Sequence, residues 1–111
     1  MADHGLSDRQ MAILREVLSG LSDRFDRVGL FGSRATGRAR AASDIDLVVF
    51  GARDPRLTDT LFTLFDESGL PMTVDVVDYD RIDHLPLRQH IDAVAQPLFT
   101  AAELRARTPP S

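Results

Sequence analysis

The sequence predicts an α/β (α+β) chain: a small mixed β-sheet of about three to four strands, flanked by helices. Three observations lead there. Apolar residues at helical spacing alternate along the chain with short β-branched runs. Glycine and proline punctuate the junctions. The intervals between the runs are unequal, one too short for a helical crossover and one long enough, so the sheet is expected to mix strand directions.

Ser7 opens "SDRQ" with Gln10 three residues on, a capping-box pattern. Met11, Leu14, Leu18, Leu21 and Phe25 follow at spacings of three and four, predicting an amphipathic helix over 8–24. "RVGLF" predicts a strand over 27–31, and "RATG" leaves room for one helical turn that Gly37 ends. "DIDLVVF" predicts a strand over 44–50. After the turn "GARDP", Pro55 starts a second helix with Leu57, Leu61, Leu64 and Phe65 on one face. "MTVDVVDY" predicts a third strand, parallel to the second across that helix. "LPLRQHIDAVAQPLF" predicts a last helix carrying Leu87, Ile91 and Val94, closed by Pro97. Residues 1–100 read as one domain and residues 101–111, "TAAELRARTPPS" without its first residue, as a polar C-terminal tail.

Composition narrows the chemistry. The 111 residues suit one small domain, and 43% hydrophobic with 27% charged residues is ordinary for a globular protein. A net charge of -4 gives no footprint for binding a long nucleic acid. The absence of cysteine removes disulfides, thiol nucleophiles and cysteine zinc sites. All 13 basic residues are arginine, which removes the phosphate-binding lysine of a P-loop and any Schiff base. No apolar run has the length of a membrane span and no signal-peptide core precedes the first helix, so a cytoplasmic protein is expected.

The charge is unevenly placed. From Arg27 to Ser43 there are four arginines and no acid; then Asp44 and Asp46 stand two apart at the start of a strand. Side chains alternate along a strand, so both carboxylates face the same way. Like charges so close need a cation, and hard oxygen ligands suit Mg²⁺ or Mn²⁺, with substrate phosphates completing the shell. Asp75, set between Val74 and Val76, breaks an apolar alternation and is favoured as a third acid over Asp78, which solvent reaches at the strand end. Gly32 lets a backbone approach a phosphate, and Ser33 sits where free N–H groups and a hydroxyl bind anions. Arg34, Arg38 and Arg40 add positive charge, the latter two reading individually as solvated loop residues. His4, His84 and His90 are scattered and show no triad.

Gly32-Ser33, ten residues, then Asp44-Ile45-Asp46 resembles the GSx10DxD signature of the minimal nucleotidyltransferases in the DNA polymerase β-like superfamily. The resemblance runs from about Val28 to Phe99. "FGSRATGRARAASDIDLVVF" with "GLPMTVDVVDYDRI" is similar to the catalytic subunits of two-subunit nucleotidyltransferases, whose partner is an all-helical HEPN-type protein. The resemblance implies the nucleotidyltransferase fold. It implies Mg²⁺ (or Mn²⁺) on Asp44, Asp46 and Asp75. It implies ATP or another nucleoside triphosphate as substrate, with Gly32, Ser33 and Arg34 on the nucleotide side. It also implies a hydroxyl acceptor, in toxin–antitoxin pairs a tyrosine of the HEPN partner. Larger members carry an extra helical region for the acceptor, and 111 residues leave no room for one, so a hetero-oligomer is expected.

Two readings compete. In the first the chain transfers a nucleotide, AMP from ATP in the simplest case, to a hydroxyl. In the second it is an antitoxin that masks its partner without catalysis. A DxD phosphatase or glycosyltransferase is disfavoured, because there the acids follow an apolar strand and here they precede "LVVF".

Overall fold

A computed structural model describes residues 5–40 and 42–106. Helix α1 (Asp8–Ser19) begins with the reciprocal capping box, the Ser7 hydroxyl accepting from the Gln10 N–H and the Gln10 side chain accepting from the Ser7 N–H. It stops at Gly20, five residues earlier than its periodicity predicts. A separate 3-10 turn, Ser22–Arg24, carries the chain onward and still delivers Phe25 to the core. The apolar spacing was satisfied by turn and helix together, which is why it read as one element.

Strand β1 (Arg27–Phe31) leads through a 3-10 turn, Gly32–Arg34, to β2 (Ile45–Phe50). Helix α2 (Leu57–Asp66) starts two residues after Pro55, because Asp54 holds a turn, its carboxylate accepting from the Arg56 N–H. Strand β3 (Val74–Asp78), a 3-10 turn (Tyr79–Arg81) and α3 (Leu85–Val94) follow. The sheet order is β3-β2-β1-β4, with β1 antiparallel to β2 and to β4, and β2 parallel to β3. The mixed sheet and the parallel crossover agree with the unequal intervals in the sequence.

Two expectations need correction. Residues 96–100 are not the end of a helix but an edge strand, β4 (Gln96–Thr100). Pro97 stops α3 yet is tolerated in the strand, since an edge position needs no second donor, and the register shifts beside it. Residues 101–106 are not a polar tail but α4 (Ala101–Ala106), whose Ala101 and Leu104 are buried. Arg105 donates to the Ser22 carbonyl at 2.8 Å. Among the described residues no helix is long and apolar enough to cross a membrane.

The sheet separates two apolar clusters. On one face Val28, Leu30, Ile45, Leu47, Val49 and Val74 meet Leu14, Leu18, Leu57, Leu61, Phe65 and Leu104 of the helices. On the other, Phe31 and Val48 meet Ile91 of α3. This second layer covers only part of its face, and the end it leaves open is where β2 begins.

Candidate active site

Pairing brings the acids together. Phe31, the last residue of β1, is the register partner of Asp46, and Asp46 is in turn the partner of Asp75 on β3. Adjacent partners point to the same face, so Asp46 and Asp75 lie side by side on the α3 side of the sheet. Asp44 immediately precedes β2 and is exposed, as is Asp75, while Asp46 is half-buried. Burial first, then the charges of Asp75 and Asp44, push the Asp46 carboxyl above its ordinary value of 3.8, and His90 pulls it back.

Gly32 closes the space above Asp46. Its φ is +73°, and a Cβ there would collide with the Asp46 carboxylate. Glycine is therefore required twice over, by conformation and by the approach of the carboxylate. The turn that follows is held by its own carbonyls: Gly32 accepts from the N–H groups of Ala35 and Thr36, and Ser33 accepts from the Arg38 N–H at 2.9 Å. The Ser33 hydroxyl has no partner among the described residues.

Arg34, expected on the nucleotide side, is buried. It is 0% exposed, and its guanidinium donates to the Ser43 carbonyl at 2.7 Å and the Arg40 carbonyl at 3.4 Å. A buried guanidinium needs fixed acceptors, and here the loop backbone supplies two. Arg34 thus ties its turn to the loop backbone at Arg40 and Ser43. Arg38 and Arg40 are exposed.

Asp78 lies on the opposite face from Asp75. It is buried, pairs with Arg81 and accepts from the Asp80 N–H at 3.1 Å, so it caps the turn after β3. Two site residues escaped sequence reasoning. His90 of α3 stands edge-on to Phe31, with ring centroids 6.1 Å apart, and faces the acids from above. Gln96 of β4 donates to the Ala35 carbonyl at 2.9 Å and so supports the Gly-Ser turn from the far edge. Neither carries a spacing signal, because both reach the site through folding of α3 and β4. His84 is exposed at the start of α3, and His4 lies outside the described residues.

Among the described residues no three His, Asp or Glu side chains converge into a self-sufficient metal cage. The donors are carboxylate oxygens, mutually repelling and open on one side. That set fits a hard divalent cation arriving with phosphate ligands rather than a resident ion fully enclosed by protein.

Comparisons with known proteins bear on the family and the fold. The family model described as polymerase beta, nucleotidyltransferase, matches residues 14–104. A probable protein adenylyltransferase MntA of Haemophilus influenzae is 34% identical over 76 residues, 67% of this chain; the match spans 66% of that relative's length. A crystal structure of a toxin–antitoxin with AMP-PNP superposes with a TM-score of 0.67 at 24% identity, covering 81% of this chain and 73% of that one. The toxin–antitoxin MntA-HepT gives 0.61 at 22% identity over 85% and 73% of the two chains. At these identities the structures speak for the fold.

Proposed function

The chain belongs to the polymerase beta nucleotidyltransferase family, and on that premise we propose that it transfers a nucleoside monophosphate, AMP from ATP in the simplest case, to a hydroxyl acceptor. The single observation that carries this reading is the Phe31–Asp46–Asp75 register, which sets two carboxylates side by side directly beneath the positive-φ glycine of the Gly-Ser turn.

The division of labour follows from position. Asp44 and Asp46 would hold a divalent cation, Mg²⁺ or Mn²⁺, which supplies charge neutralisation to the phosphates and orients them. Asp75, exposed beside Asp46, would join them on the cation and take the proton of the incoming hydroxyl. The Ser33 hydroxyl and the backbone of the Gly-Ser turn would bind the outer phosphates, which leave as pyrophosphate. Arg34 keeps the turn and the carboxylates at fixed separation.

The partner belongs to the same reading. MntA of Haemophilus influenzae is described as a protein adenylyltransferase, and the structural neighbours are toxin–antitoxin complexes. We assign this chain a helical, HEPN-type partner in a hetero-oligomer, with a tyrosine of that partner as the acceptor.

Intact-mass measurement of the chain and a co-expressed partner, incubated with each nucleoside triphosphate and Mg²⁺, tests the assignment. The expected result is a gain of one or more nucleoside monophosphates on the partner, lost in Asp44→Asn/Asp46→Asn. If the double variant still neutralises its partner with no mass change anywhere, the masking reading replaces this one.

A further inference from the structure

Away from the acids, the α3 face carries a second arrangement of reactive groups. Tyr79, the one tyrosine of the chain, stands half-buried in the turn after β3. Its hydroxyl donates to the Asp92 carboxylate at 2.6 Å. The ring tilts against Phe50 with centroids 4.8 Å apart. The Arg88 guanidinium lies 4.4 Å from the Tyr79 ring centre, and that of Arg27 lies 3.7 Å from the Phe50 ring centre. Among the described residues neither arginine has a carboxylate at ion-pair distance. A recess of about 220 Å³ opens here, lined by Arg27, Phe50, Tyr79, Ile91, Asp92 and Ala95.

Resting on the nucleotidyl-transfer reading above, we propose that Tyr79 is itself a nucleotidyl acceptor, modified by the active site of a second copy of this chain. A phenol is a weak nucleophile at neutral pH and becomes competent when a base sits on its proton. Asp92 already does so. The approach of a second copy is favoured by charge. The donor site exposes Asp44 and Asp75, which Arg27 and Arg88 beside Tyr79 can meet, while Arg38 and Arg40 on the loop before Asp44 can meet Asp80 and Asp92. Transfer within one copy is excluded by reach. Asp75 is the second residue of β3 and Tyr79 stands in the turn beyond its last, so three strand steps, about 10 Å, and the turn separate them, and one α-phosphorus cannot lie at both.

The step balances without further reagents. The Tyr79 Oη–Pα bond forms as the bond from Pα to the bridging oxygen of the β-phosphate breaks. The phenolic proton passes to Asp92. Pyrophosphate leaves with the bonding electron pair. The product is a tyrosyl nucleoside monophosphate, with the triphosphate and divalent cation supplied at the donor copy.

The test mixes wild-type chain with the Asp44→Asn/Asp46→Asn chain, tagged to separate the masses, in ATP and Mg²⁺. The expected result is a gain of one AMP on the inactive copy, mapped to Tyr79 by peptide fragmentation. Tyr79→Phe placed on the inactive copy abolishes the gain, and Asp92→Asn slows it about a hundredfold, while Tyr79→Phe leaves transfer to the helical partner unchanged. A gain on the partner with none on either copy of this chain overturns the proposal and leaves the transfer reading standing. No gain on any protein with any nucleoside triphosphate overturns both. A gain on the active copy alone, in the mixture, overturns the two-copy route.

Discussion

Asp46 and Asp75 are register partners across the parallel β2–β3 pair, so two carboxylates share one open face of the sheet. Without a cation this juxtaposition costs the fold stability. Burial and two like charges raise the Asp46 pKa from its ordinary 3.8. Between that value and the raised one, the native chain binds more protons than the unfolded chain. Stability therefore falls as pH rises through the window, and the cost is present in full above it. Metal-free Asp46→Asn is expected to melt at a higher temperature than the parent at neutral pH, with the gap closing below pH 3.8. A gap of unchanged size across the titration contradicts the assignment. The same variant is expected to lose nucleotidyl transfer by a factor of at least about a hundred.

Gly32→Ala is expected to lower stability and to reduce transfer together. The positive φ costs about 1–2 kcal/mol for a residue with a Cβ, and the added methyl drives into the Asp46 carboxylate. Urea unfolding and single-turnover rates report the two effects. An alanine variant with parental stability and rate would mean that the turn and the carboxylate are not in contact.

Arg34 separates two roles by a simple measurement. As a brace hydrogen-bonded to two loop carbonyls, Arg34→Met should cost about 3 kcal/mol in the absence of any ligand. As a phosphate contact, the same variant would unfold like the parent and show only a raised KM for nucleotide. The brace predicts the first pattern, with Arg34→Lys intermediate because a lysine lacks the planar fork.

Leu104→Ala tests whether α4 belongs to the domain. The side chain is buried in the main core, so the variant should lose about 2–5 kcal/mol. A polar tail would give a change within about 0.5 kcal/mol.

The parts of this architecture that were legible in the sequence are those where local pattern and tertiary role coincide. β1 announces itself by a short apolar run ending in Gly-Ser, β2 and β3 by β-branched runs, and the interval from Phe50 to Val74 is long enough for a helical crossover and a parallel pair. Asp75 stands out as a lone acid between Val74 and Val76. The unread parts depend on long-range contacts. β4 was hidden because Pro97 is a helix terminator and an acceptable edge-strand residue alike, and only pairing with β1 decides between them. α4 was hidden because two buried positions, Ala101 and Leu104, are too few to set a period. The role of Arg34 was hidden because burial of a charge leaves no trace in composition, and His90 because its proximity to Asp46 arises from the docking of α3.

The segment from α3 into β4 has one further consequence. His90 faces the acids near the middle of that helix, and Gln96, two residues past its end, holds the carbonyl of Ala35. A single residue, Ala95, joins helix to strand. The stretch has no slack, so an inserted or deleted residue between positions 90 and 96 must displace either the histidine or the glutamine. Among relatives of this chain, residues 90–96 should keep one length even where their identities drift.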